Sequence, residues 1–335
     1  MKKYQKIALC IAFSLAAQCG VLCYADKILL RESDNFNIET IEVPIKTFDT
    51  NIEVPSEAKD IKVSYGGKYI IYSLNNKIVL INTKRSESRE ILSNTQILDC
   101  KWVPKNNTLY IVEKKDNSIK VKTYNADSDI EQDINVVCEY KEGMSAQAYI
   151  SHSQQYIAVD DHQTTNIYRI DIEKQVSKLN DIVNKLSSAD VFWDDDIFIY
   201  QSSEDKALYK YTCGNNFEIS SSSSSKQIIL KAVDKSVFLG ELHDDNKISK
   251  ILYSDDVENT SSWKVVDLDS PRDIKDIYIT EKSEVIINDS IENRVTNISN
   301  GKSMPYKGEF IAINDRVLCS IEEGKISLKS VKETL

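Results

Sequence analysis

From about residue 55 to its end the chain alternates short apolar runs with short polar turns. The first full set runs Ile61-Lys62-Val63-Ser64-Tyr65, then Gly66-Gly67, then Lys68 to Leu74, Asn75-Asn76, Lys77 to Thr83, and finally Arg89 to Leu92. Runs such as Tyr69-Ile70-Ile71-Tyr72 and Ile78-Val79-Leu80-Ile81 have no polar alternation. A strand half-exposed to water alternates with a period of two, so these runs predict strands buried on both faces. The joints between second and third runs carry Asn75-Asn76, Asp116-Asn117, Glu204-Asp205, Asp244-Asp245-Asn246 and Glu323-Gly324. Asn, Asp and Gly tolerate the left-handed backbone that tight hairpins require.

The set repeats. Its second strand passes Tyr69, Tyr110, Tyr156, Phe198, Phe238, Val285 and Val317, a marker that returns at nearly even intervals until a shorter last one. The third strand begins near Ile78, Ile119, Ile167, Ala207, Ile248, Val295 and Ile326, with the same rhythm. Four short strands per unit of about 40–45 residues is the spacing of a β-propeller blade, and both markers count seven units. The predicted fold is therefore all-β, a seven-bladed propeller. The last unit is short, while residues 27–54 hold strand-like runs at Ile28-Leu29-Leu30 and Ile38 to Val43. The expected architecture is one propeller domain over 26–335, with 26–54 supplying the strand or strands that complete the seventh blade and close the ring.

Two stretches depart from the rhythm. Val176, Leu179, Ile182, Val183 and Leu186 recur at helical spacing. They predict a short amphipathic helix over 175–187, with an outer strand as the alternative. Ser220 to Ser225 is an unbroken serine run with nothing to pack a core, and reads as a connection.

Residues 1–25 follow another pattern. Lys2, Lys3 and Lys6 precede an uncharged apolar stretch from Ile7 to Ala17, and Cys23-Tyr24-Ala25 offers a cleavage site before Asp26. This is the layout of a secretory signal peptide, so the chain is expected in the periplasm or outside the cell, with no membrane span after cleavage. Residues 1–25 hold three lysines and no acid, which takes the formal charge from −10 for the whole chain to −13 for the remainder. Such an acidic chain, with 42 Lys+Arg against 52 Asp+Glu, argues against nucleic acid as a partner. Cys100, Cys138, Cys213 and Cys319 remain; none has C-x-x-C spacing, and their apolar surroundings read as buried free thiols rather than a redox or zinc site.

Gly66-Gly67-Lys68-Tyr69-Ile70-Ile71-Tyr72, followed by Asn76-Lys77-Ile78-Val79-Leu80-Ile81-Asn82-Thr83, resembles the glycine turn and third strand of the YVTN, TolB-like and WD40-like propellers. Trp102 to Asn107 and Ser151 to Tyr156 resemble degenerate copies of that turn. The resemblance covers most of residues 55–335 and implies the fold. It imports no function, because this fold carries many.

No catalytic signature stands out: the chain has no Gly-x-Ser-x-Gly elbow, His-Glu-x-x-His pair or phosphate loop. His162 and His243 fall in turns two blades apart, too far to share a metal, and His152 reads as a surface residue. Acidic pairs such as Asp194-Asp195-Asp196, Asp255-Asp256 and Glu322-Glu323 match no calcium loop. No catalytic residue, bound metal or cofactor is therefore expected. The collective feature is that second-to-third-strand turns open on one face of a propeller. They would gather Asp116, Asp160, Asp161, Glu204, Asp205, Asp244, Asp245, Asp289, Glu292, Glu322 and Glu323 there, opposed by Lys114 and Lys115. Such a face would steer a basic protein partner, although turns favour Asp for structural reasons too. The expected function is a protein-interaction or scaffold module using this face or the central channel. The alternative is a hydrolase of the lactonase type, a group that resembles this chain in architecture and places metal ligands at the channel mouth. Lys101, Asp190, Asp276 and Asn314 of the first strands are the channel-facing candidates for this alternative.

Overall fold

The apolar runs become strands in the order expected. In the first blade Lys59–Val63, Tyr69–Leu74, Lys77–Asn82 and Glu87–Leu92 pair antiparallel, each with the next. The middle two strands are buried along most of their length, whereas Glu87, Ser88, Arg89 and Glu90 of the outer strand face water. The turns between the middle strands follow their sequence: Asn75 and Asn76, like Asp116 and Asn117, both take the left-handed conformation, which matches the strand twist in a two-residue hairpin.

The computed structural model describes residues 48–335 apart from 93–94, 181, 183–184, 220–225, 244, 257–261 and 332–334, together with Gln18. The described strands form seven four-stranded sheets within the compact unit Lys46–Leu335. The inner strands of the seven blades are Lys59–Val63, Gln96–Trp102, Ser145–Ile150, Leu186–Val191, Gln227–Val233, Ile277–Ile279 and Glu309–Ile313. The expected signal peptide, the runs at Ile28–Leu30 and Ile38–Val43, Val183, the serine run and Asp244 lie outside the described residues.

Seven apolar clusters hold the ring, one at each junction between blades. Between blades 2 and 3, Tyr110, Val112 and Ile119 meet Ala148 and Ile157. Between blades 3 and 4, Tyr156 stacks on Phe198 with ring centroids 4.8 Å apart. At the last junction Ile70, Tyr72 and Ile81 of blade 1 meet Val317, Cys319, Ile326 and Leu328 of blade 7. A middle strand is sandwiched in this way by blades on both sides, which is why its sequence lacks polar alternation.

Closure is by the N-terminal strand. Phe48–Glu53 pairs antiparallel with Lys325–Ser330 and becomes the outer strand of blade 7, with Phe48 opposite Leu328 and Glu53 opposite Lys325. Ile52 and Val54 are buried in the cluster between blades 7 and 1. The chain enters the inner strand of this blade at Gly308, whose φ is 75° and where a Cβ would lie 2.0 Å from the carbonyl oxygen of Ile321; only glycine fits there.

The helix expected over 175–187 is not formed. Val176–Leu179 is the outer strand of blade 3, paired with Thr165–Ile170. The helix-like rhythm arises because the apolar side chains serve two junctions: Val176 packs between blades 2 and 3, while Leu179, Ile182 and Leu186 pack between blades 3 and 4. The cysteines are free, but they are not all buried. Cys100 and Cys319 are, and burial pushes both thiols up to about 12; Cys138 is half-buried, and Cys213 is exposed in the turn before the outer strand of blade 4.

Among the described residues one ion pair lies in the core. Lys122 and Glu113, on neighbouring strands of blade 2, are 4% and 1% exposed and sit 2.9 Å apart, and Lys122 also reaches Glu131 at 3.2 Å. Burial pulls the lysine pKa down, but the two carboxylates more than compensate, so it is raised overall.

Candidate functional site: the two ends of the central channel

Each blade is an antiparallel meander, so its second-to-third turn and the connection to the next blade lie at one end of the ring, while its two other turns lie at the opposite end. Asp116, Asp160, Asp161, Glu204, Asp205, Asp245, Asp289, Glu292, Glu322 and Glu323 all fall at the first end, in or beside turns of blades 2 to 7. Most of the aspartates also shape their own turns. Asp160 accepts the N–H of His162 at 2.6 Å, Asp161 that of Thr164 at 2.7 Å, Asp205 that of Ala207 at 2.9 Å and Asp289 that of Ile291 at 3.0 Å. Such backbone donors hold Asp161, Asp205, Asp245 and Asp289 below the usual carboxylate range, and the Lys120 ammonium does the same for Asp116. All five are thus firmly ionised. Basic groups interleave with them: Lys120 meets Asp116 at 2.7 Å, Arg272 meets Asp289 at 3.2 Å, and Lys185 donates to the His162 carbonyl at 3.0 Å. Acidic turns are present at the opposite end as well, at Asp194-Asp195-Asp196 and Asp255-Asp256. The histidines are exposed; His243 lies 3.3 Å from Asp245, and His152 meets Trp193 edge-on.

The inner strands are tied to one another by side chains. Lys62 donates to the Cys100 carbonyl at 2.6 Å, and Lys101 to that of Ala148 at 2.6 Å. Asp99 accepts the Ala148 N–H at 2.8 Å, and Asp190 that of Ala232 at 2.8 Å. Asn314 donates to the Ser64 carbonyl at 3.3 Å, joining blade 7 to blade 1. Of the four channel candidates, Lys101, Asp190 and Asn314 therefore bridge adjacent blades. Asp276 lies in a short 3-10 turn before its inner strand and accepts from Asn288 of the same blade at 2.8 Å. Asp99, on the same strand as Lys101, has no sequence signal beyond that shared position. Each tie fixes a channel wall and satisfies backbone groups that strand pairing leaves free.

At the first end the channel opens into a funnel of about 550 Å³ between blades 2 and 5. Its wall carries Asp99 and Asp160, the polar side chains of Gln147, Tyr149, Ser187 and Ser188, and an apolar side formed by Leu98, Leu186, Ile228 and Ile229. No lysine or arginine is among its described lining residues, but Lys101 stands just behind it, 3.5 Å from Asp99 and 5.0 Å from the Tyr149 ring. The other mouth is smaller, about 300 Å³, and amphipathic, with Tyr65, Trp102, Tyr278, Lys231, Glu281 and Asp315. There Asp315 accepts the Glu281 N–H at 2.8 Å and the Tyr278 hydroxyl at 3.2 Å.

Burial and the nearby Asp315 charge push the Glu281 carboxyl above its usual range, against the pull of Lys105 3.6 Å away. Because the folded state holds this proton more tightly than the unfolded chain, its contribution to stability is full below the ordinary glutamate pKa and is lost as pH rises through the raised value. Glu281→Gln is therefore expected to raise the urea midpoint at pH 7, with the gain vanishing near pH 4; equal midpoints at both pH values would refute it.

Among the described residues no three His, Cys, Asp or Glu side chains are grouped to hold a metal ion. No helix of the described residues is long and apolar enough to cross a membrane.

No protein-family model matches the chain, and no curated protein is similar to it in sequence. Solved structures are similar in fold. A virginiamycin B lyase from Staphylococcus aureus superposes with a TM-score of 0.55 over 82% of this chain and 95% of its own, at 15% identity. The β-propeller domain of Cps50 (Swd1) from Myceliophteria thermophila gives 0.52 over 85% of this chain and all of that domain (100%), at 11% identity. A prolyl endopeptidase gives 0.55 at 16% identity, but this chain spans only 42% of its length. Together with the seven sheets these likenesses define the class. The chain is a seven-bladed β-propeller closed by its N-terminal strand.

Proposed function

We propose that this chain is an exported propeller that acts as a non-enzymatic protein-interaction module, seating a basic partner at the end of the ring that carries the second-to-third turns. The observation that carries the reading is the funnel at that end, a hollow of about 550 Å³ with carboxylates, hydroxyls and an apolar side but no basic residue among its described lining. Ionised turns at Asp116, Asp161, Asp205 and Asp245 surround it and would steer a cationic segment toward it. Inner strands already tied across blades lose little further freedom on binding, which favours recognition by a fixed surface. Export rests on the layout of residues 1–25, and mature protein beginning at Asp26 in the exported fraction is the expected result of N-terminal sequencing.

The binding test uses residues 26–335 and a variant carrying Asp116→Asn, Asp161→Asn and Asp245→Asn; at 161 and 245 asparagine can still accept the turn N–H, and at 116 it suits the left-handed backbone. A basic partner should be retained at low salt, released at high salt, and held several-fold more weakly by the variant. Retention indifferent to both salt and variant would overturn the acidic end as the binding surface.

A further inference from the structure

Blade 1 has the opposite charge balance from the rest of the ring. Between Lys59 and Leu92 seven basic residues meet three acidic ones, in a chain with 42 basic against 52 acidic overall. Across the ring, Leu186 to Ile219 of blade 4 holds seven acidic against two basic. Four of the basic side chains of blade 1 surround one hollow of about 530 Å³ between blades 1 and 2, at the end of the ring away from the funnel: Lys68, Lys84, Arg85 and Arg89. Two are committed, Lys68 to Asp127 and Arg89 to Asp129 at 3.1 Å. Lys84 and Arg85 are exposed, and no acidic partner pairs with them among the described residues.

Their backbone is held in place. Asn82 Oδ1 accepts the N–H groups of both Lys84 and Arg85, at 3.1 and 3.2 Å. The Thr83 hydroxyl donates to the Gly67 carbonyl at 2.6 Å, and the Thr83 N–H to that of Lys68 at 3.0 Å. The turn that carries Lys84 and Arg85 is thereby locked to the glycine turn that carries Lys68, so the backbone from which these side chains project is fixed before any ligand arrives.

We infer that this hollow docks an acidic segment of a protein partner, with its carboxylates on Lys84 and Arg85. Asp127, also at the hollow, is already occupied by Lys68, Tyr69 and Asn107, which leaves Glu87 as the acceptor for an N–H group of such a segment. A short acidic peptide suits the site better than a nucleic acid does, because the basic area is confined to one blade and a long polyanion would be repelled by the remaining acidic blades. The inference rests on the reading of the chain as an interaction module, but on a different surface and a partner of opposite charge.

The test is fluorescence anisotropy with residues 26–335, using a labelled oligoglutamate peptide, an oligolysine peptide and a single-stranded oligonucleotide as probes. Oligoglutamate should bind at low salt, and Lys84→Glu with Arg85→Glu should weaken it by at least about tenfold, the loss of one or two charge-assisted hydrogen bonds. Both side chains are exposed, so an unchanged urea midpoint is expected to show that the fold is kept. Absence of oligoglutamate binding, binding that survives the double variant, or tighter binding of the oligonucleotide would each overturn the inference. Oligolysine binding that persists in the double variant while oligoglutamate fails to bind the parent would sink this inference alone and leave the acidic end standing.

Discussion

Replacing Lys122 by alanine is expected to destabilise the propeller by about 3–5 kcal/mol, because the change strands Glu113 as an unpaired charge in the core. Glu113 is 1% exposed, whereas Glu131, the second partner of the lysine, keeps 44% of its side chain exposed and can be hydrated. The same reasoning predicts that the double variant Lys122→Met with Glu113→Gln loses far less than the single one, since removing both charges also removes the cost of burying them. Urea unfolding of the two variants beside the parent checks this. A loss below about 1 kcal/mol for Lys122→Ala would mean that water reaches Glu113 and that the pair is not a core element.

Removing the closing strand is the other large effect. A chain starting at residue 55 lacks Ile52 and Val54, both buried in the cluster between blades 7 and 1, together with the ladder to Lys325–Ser330. Burial of two such side chains alone contributes on the order of 3–6 kcal/mol. The truncated ring would also expose the edge of Lys325–Ser330, an unpaired template for association with other chains. The expected outcome, against residues 26–335, is a lower urea midpoint and concentration-dependent aggregation by light scattering. A truncated chain that stays monomeric with an unchanged midpoint would show that the ring holds without its strand clasp.

Much of the architecture was legible from residue pattern. The second-strand residues from Tyr69 to Val317 all lie in second strands, and the Asn75-Asn76 and Asp116-Asn117 turns take the left-handed conformations their residue types favour. The stretch over 175–187 shows where pattern fails. Val176, Leu179 and Ile182 are spaced as on a helix, but their spacing reflects two junctions served by one strand and its trailing connection. Periodicity reports which side chains are buried, and it does so without saying against how many surfaces.

The candidate site was less legible. Gathering acidic turns by face identified residues that do share an end of the ring, but it left out most of the basic side chains that interleave with them and the acidic turns at the other end. Asp99, Glu281 and Asp315 were not singled out, and nothing in their neighbours marks them. Their roles come from partners far along the chain: Asp99 accepts from Ala148 and Asp315 from Glu281.

The sequence by itself determined what is local and repeated: strand identity, turn chemistry, the count of seven blades, and the need for a segment from the N-terminal side to complete the last one. These depend on period and residue type within a single blade, and each blade restates them. The tertiary structure decided what forms between blades. The ties that build the channel wall, the funnel whose described lining carries no lysine or arginine, and the basic hollow set against an otherwise acidic ring all depend on which side chains meet once the ring has closed. Those meetings join strands of different blades or different registers, and a one-dimensional pattern of apolar and polar positions carries no term for them.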